Sequence, residues 1–201
     1  MDYFNKKLGR IQTEKELERW GVAMRQEVLD ALGLHPLVYN TPSYDTALYS
    51  IAADGLPHES DSAQEYVQDF AVTPRELGAA KLAMKERVTA RRWQAETGGV
   101  TITGFGRILT AIEDQNRIAS ALQGVTSAAI AEVDFKGADG WIKLTREMLT
   151  QVSIIIAEHV QACFSRERAL HEAIDAAETV AALAALDIET NWPGSEAGVA
   201  A

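Results

Sequence analysis

In Ala90-Arg91-Arg92-Trp93-Gln94-Ala95-Glu96-Thr97-Gly98-Gly99-Val100 a charged helical run meets two glycines and emerges as a strand. Arg, Gln, Ala and Glu are good helix formers, and a glycine just past a helix end takes the left-handed conformation without Cβ strain. From Val100 the period changes: Val100, Ile102 and Phe105 alternate with Thr101 and Thr103 around Gly104 and Gly106, as in a short strand. The double glycine therefore separates a connecting helix over 73–97 from a C-terminal domain over 98–193.

Working outward, three helix starts share one signature. Thr13-Glu14-Lys15-Glu16, Thr73-Pro74-Arg75-Glu76 and Thr110-Ala111-Ile112-Glu113 each set a hydroxyl three residues before a glutamate, so that the two side chains can satisfy orphan amides reciprocally. The first predicts a helix to Leu32, with a stripe of Leu17, Trp20, Met24, Val28 and Leu32 and a stop at Gly33. The third predicts a helix over 110–124, stopped by Gly124, with Ile112, Ile118, Ala119 and Leu122 inward. Thr145 opens the longest helix, to about Ala177. Its apolar face carries Met148, Leu149, Val152, Ile155, Ile156, His159, Val160, Cys163, Leu170 and Ile174. A short helix over 179–186 leads to Trp192-Pro193.

Strands fill the gaps. Leu37-Val38-Tyr39, the run 47–51 and the run 65–72 are β-favouring. In the last, Tyr66, Gln68, Phe70 and Val72 share one face, which predicts a small antiparallel sheet covered by the first helix. The proline-, glycine- and acid-bearing segment 53–63 reads as a loop. The runs 131–135 and 141–144 flank a glycine-bearing loop, giving a β-hairpin with Trp141 expected over Phe135 or Val133. The fold class expected is α+β and predominantly helical: an N-terminal helix plus small antiparallel sheet in 1–72, and a helical C-terminal domain with a β-hairpin. A flexible tail is expected over 194–201.

Composition narrows the function. The 201 residues, 47% hydrophobic, are enough to bury a core, and a net charge of -10 disfavours a nucleic-acid partner because phosphate would be repelled. The basic cluster Lys81, Lys85, Arg87, Arg91 and Arg92 is mixed with glutamates and reads as a solvated or partner-facing helix surface. The single cysteine, Cys163, excludes an internal disulfide. With no secretory leader visible, the chain is expected to be made in a reducing cytoplasm. The longest strongly apolar run, 152–157, is far below the roughly 20 residues of a bilayer span, so no membrane partner is expected.

No catalytic constellation emerges. His159 and Cys163 share a helix face, but His171 points about a third of a turn away, so a core thiol beside an imidazole is the better reading than a metal site. Gly98-Gly99 and Gly104-Phe105-Gly106 lack the lysine and hydroxyl of a phosphate cradle and read as turns. The acids Asp54, Glu59, Asp61, Glu65 and Asp69 around His58 lack the period of a calcium loop. The chain is accordingly expected to be no enzyme and to hold no cofactor or metal.

Surface remains. Trp20, Trp93, Trp141 and Trp192 each read first as core, but Trp93 is flanked by Arg91 and Arg92, the aromatic and guanidinium mixture enriched at interface centres. Arg166 and Arg168 on the longest helix carry charge that can select a neighbouring copy. Arg91, Arg92, Trp93, Arg166 and Arg168 are the candidate partner interface.

One family matches this pattern of spaced residues: the 90–100 stretch, Gly104, Asp114-Gln115, Ala138-Asp139-Gly140-Trp141, the run 159–164, Asp187-Ile188 and Trp192-Pro193. Over about residues 73–193 the chain resembles a domain of unknown function found in tailed-bacteriophage tail proteins. The resemblance implies a non-enzymatic virion structural component of the tail fibre or baseplate. Such a protein would dock onto other tail or fibre proteins and onto copies of itself, after synthesis in the host cytoplasm. The alternative it implies is a tail-fibre assembly chaperone that is not retained in the virion. An unrelated, divergent enzyme ranks last.

Overall fold

The structure, a computed structural model, describes residues 1–61, 65–127, 130–137 and 140–194. The expected turn at 138–139, part of the expected loop at 53–63, and the expected tail from 195 onward lie outside the described residues. The chain divides into two compact units, residues 1–76 and 77–201.

The first unit is built on a sheet. Strands β1 (Asp2–Asn5), β2 (Arg10–Thr13), β3 (Leu34–Asn40), β4 (Tyr49–Ala53), β5 (His58–Glu59) and β6 (Tyr66–Pro74) form a curled mixed sheet in the order β2-β1-β3-β6-β4, with β5 also paired to β6. The β3–β6 pairing is parallel, with Leu37 opposite Tyr66, and the other pairings are antiparallel. Tyr3 and Leu34 pack with Leu17 and Leu29 of the helices on one face, while Phe4, Leu37 and Tyr66 cluster separately.

These observations correct the expected fold class. The described residues are 46% helix and 26% strand, not a predominantly helical chain with a small antiparallel sheet. β1 and β2 are only four residues each, too short to show a period, and their ladder partners rather than their composition make them strands. The single helix over 13–32 is two helices, α1 (Glu14–Arg19) and α2 (Gln26–Leu32). Thr13 and Glu16 form the expected capping box and Gly33 is a left-handed C-cap. Between them, however, Gly21 at φ 74 breaks the run. The proposed stripe dissolves accordingly: Leu17 is buried, but Trp20 and Leu32 are exposed, and Leu29 replaces them inside.

The second unit contains α3 (Leu77–Thr97), the hairpin β7 (Val100–Ile102) and β8 (Gly106–Ile108), α4 (Ile112–Ser127), the hairpin β9 (Glu132–Gly137) and β10 (Gly140–Thr145), α5 (Arg146–Ala176) and α6 (Val180–Ala184). α3 packs along α5 and so is an integral layer of this unit. Its expected start at Thr73 fails because Thr73 and Pro74 continue β6, opposite Ser50 and Tyr49. The expected strand after the double glycine is the first arm of a hairpin. Thr110 does not cap α4: its buried hydroxyl accepts the Gly99 N–H at 2.9 Å and donates to the Glu96 carbonyl. The end of α3 is thereby tied to the start of α4, which begins two residues later than its sequence signature and runs through Gly124.

Thr145 caps α5 as read from sequence, and Thr179 likewise caps α6, each hydroxyl accepting the N–H three residues on. Leu149, Val152 and Ile156 of α5 join Ile102, Ile108, Ile118, Phe135 and Leu144 in one apolar core. Each such side chain contributes about 1.5–3 kcal/mol by leaving water.

Candidate partner-binding site

The five arginine and tryptophan positions singled out from the sequence separate into two kinds. Arg92 is largely buried, its side chain only 12% exposed, between two carboxylates that are as well covered. Its Nη1 bonds Glu96 one turn on, and its Nε lies 3.1 Å from Glu167 of α5, within ion-pair range although not aligned as a hydrogen bond. Glu167 also accepts from the Thr89 hydroxyl at 2.6 Å and lies 4.0 Å from His171. Arg91 lies over the Trp192 ring and reaches Glu189, with one Nη donating to the Glu189 carbonyl at 3.3 Å. Arg166 donates to the carbonyls of Asp187 and Thr190.

These three arginines therefore bind the second unit together. Farther along α3, Lys81 donates to the Asp175 carbonyl and Lys85 pairs with the Asp175 carboxylate. Most of the basic cluster read as a solvated or partner-facing surface is thus engaged by carboxylates and carbonyls of α5 and the C-terminal segment. Charges on one helix cannot be assigned to water or to protein until the helix lying against it is known.

Trp93 and Arg168 are exposed. Trp93 is 49% exposed and Phe164, on α5, 45%. The Arg92 guanidinium lies 5.7 Å from the first ring centroid and 4.6 Å from the second. One largely covered cation thus contacts two half-exposed aromatic rings carried by different helices. Arg168 is held only loosely, 3.6 Å from Glu172. Phe164, Glu167, Arg168 and His171, with Gln161 and Ser165, line an open groove of about 430 Å³ along α5. Phe164 lies in the run 159–164 but outside the apolar face read for this helix, and nothing in its spacing marks it as an interface residue.

Other tryptophans depart from their core reading in a similar way. Trp20 is exposed, and Trp141 is 72% exposed rather than packed over Phe135 or Val133. In the β9–β10 register it stands opposite Lys136, on the face away from Phe135 and Leu144, because neighbouring strand positions point to opposite faces. Only Trp192 is buried, its indole N–H donating to the Ile188 carbonyl at 2.9 Å.

The groups weighed for chemistry are placed as follows. His159 is buried, with Nε2–H donating to the Ala95 carbonyl at 3.1 Å, and Cys163 Sγ lies 3.9 Å away. Burial pushes the Cys163 thiol up to about 11, and the Glu96 carboxylate acts in the same direction. This thiol is accordingly a poor nucleophile. His58 Nε2 lies 2.8 Å from Asp69, which also accepts from Asn40. Asp69 raises the imidazole above its usual value, and the Asn40 amide and His58 lower the carboxylate. Among the described residues, no three histidine, cysteine or carboxylate side chains are gathered for a metal ion, and no helix is long and apolar enough to cross a membrane.

No curated protein and no solved structure matches the chain. A family model does, over residues 79–190, more than half of the 201 residues and wholly inside the second unit. By that match the chain belongs to the family described as domain of unknown function (DUF4376).

Proposed function

We propose that this protein is a non-enzymatic structural component of a bacteriophage tail, in the fibre or baseplate, that works by docking onto another tail protein. The setting is supported by the resemblance of the spaced residues over 73–193 to tail-protein domains. The docking role is supported by one observation above all: Trp93 and Phe164, half-exposed on two helices, both lie against the largely covered guanidinium of Arg92. Half-covered aromatics on rigid helices resemble interface anchors, since their rings are pre-positioned and lose little entropy on binding. The binding surface proposed is Trp93, Phe164 and Arg168 with the α5 groove beside them, while Arg91, Arg92 and Arg166 support it from beneath.

Quantitative mass spectrometry of purified virions tests the setting. A copy number in fixed ratio to the fibre or baseplate proteins is the expected result; absence from the particle, with capture of unfinished fibre from infected cells, would instead make the protein an assembly chaperone. Trp93→Ala tests the surface. The fold should persist while affinity for the tail partner falls by about 2 kcal/mol or more, as for an interface hot spot. Unchanged affinity would remove Trp93 from the interface.

A further inference from the structure

An open groove of about 510 Å³ lies between the β7–β8 turn and α5, lined by Ile102, Phe105, Ile154, Ile155 and Gln151 among others. That volume falls within the range of about 300–1,000 Å³ typical of ligand pockets. Its chemistry is mainly that of a hydrocarbon slot. Ile102 belongs to the core, but Ile154 is left 52% exposed at the groove.

Helix periodicity then sets the electrostatics. Glu147, Gln151, Ile154 and Glu158 are spaced four, three and four apart, one stripe on α5, so the two exposed glutamates bracket the two groove residues.

A complementary group stands on the same unit. Trp141 presents a nearly bare indole at 72% exposure, on a hairpin anchored from its other face by Phe135 and Leu144. The Lys136 ammonium sits 6.0 Å from the ring centroid. Farther from the tip on the same face, Lys143 pairs with Glu132 and Asp134, so this face holds two lysines and two carboxylates and Lys136 is the cation placed beside the ring. An apolar ring beside a cation matches an apolar slot between two carboxylates.

We propose that the second unit self-associates head to tail: Trp141 of one copy enters the groove of Ile102, Phe105, Ile154 and Ile155 on another, with Lys136 facing the Glu147 and Glu158 stripe. Knob and groove are different patches, so the contact is heterologous and each copy keeps one free knob and one free groove for further copies. A tryptophan buries about 150–250 Å², a minor part of the roughly 800 Å² per partner of a standard interface, so each contact is weak and appears with concentration. The interface is independent of the Trp93 surface. Phe164 lies ten residues beyond Ile154, roughly 15 Å along α5.

Sedimentation velocity of the intact chain over a concentration series tests this. Species larger than a monomer should grow with concentration, and Trp141→Ser and Ile154→Glu should each lose them, with at least about a thirty-fold fall in the association constant. Both positions are exposed, so circular dichroism of each variant should match the parent. The decisive arm is the mixture. Trp141→Ser retains the groove and Ile154→Glu the knob, so together they should form a 1:1 complex and stop there. A strictly monomeric parent, either variant associating like the parent, or a mixture that stays monomeric would overturn the proposal, and none of these would bear on tail docking through Trp93.

Discussion

Replacing Arg92 by alanine would remove the one arginine that two covered carboxylates share. Glu96 is 5% and Glu167 13% exposed at the side chain, so both charges would be left without their principal partner where water solvates them poorly. Breaking a buried ion pair from one side costs about 3–5 kcal/mol, most of it the penalty of the charge left behind. With a urea dependence of about 2 kcal/mol per molar, the unfolding midpoint followed at 222 nm should fall by about 1.5–2.5 M. Most of the helical signal comes from α3, α4 and α5, so this wavelength reports chiefly on the second unit. Neutralising the whole group, as Arg92→Met with Glu96→Gln and Glu167→Gln, should recover most of the loss, because no buried charge then stands alone. A stability for Arg92→Ala within about 0.5 kcal/mol of the parent, the usual range of a surface substitution, would refute the buried-network account. It would return Arg92 to the docking surface.

Three further outcomes follow from individual contacts. Thr110→Ala should cost about 2–4 kcal/mol in the same assay, since it strands the buried Gly99 N–H and Glu96 carbonyl together, while Thr110→Ser should retain most of the stability. Cys163 should react with a thiol reagent only as fast as the protein opens, and rapid labelling of the native chain at neutral pH would contradict a buried thiol pushed up to about 11. In an NMR titration the His58 imidazole should titrate above 6.5 and fall back in Asp69→Asn. A raised histidine value stabilises below 6.5 and loses that contribution as pH rises through the folded value. A lowered aspartate value stabilises above 3.8 and loses it as pH falls. The contact should therefore act most strongly between 3.8 and 6.5, and a His58 value unaffected by Asp69→Asn would exclude it.

Of the candidate interface, the sequence made the residues legible but not their direction. Arg91, Arg92 and Trp93 are consecutive on α3, yet the first two turn toward Glu189 and Glu167 and the third toward solvent. Consecutive helical residues are 100° apart, so the position of α5 decides which of them it covers. Trp141 illustrates the same point on a strand. Composition favours burial for tryptophan, whereas the register opposite Lys136 turns it outward.

What could be read from order alone was local. The caps at Thr13 and Thr145, the stop at Gly33 and the β9–β10 hairpin each depend on groups a few residues apart, whose geometry is available before any long-range contact exists. Packing settled the cases in which two uses compete for one group. Thr73 could cap a helix but pairs with β4, and Thr110 could cap α4 but joins Glu96 to Gly99. The parallel β3–β6 ladder brings Leu37 beside Tyr66, a pairing whose loop-closure cost is met only when the whole sheet forms. Such choices depend on the free energy of the assembled unit, which no short window of residues contains.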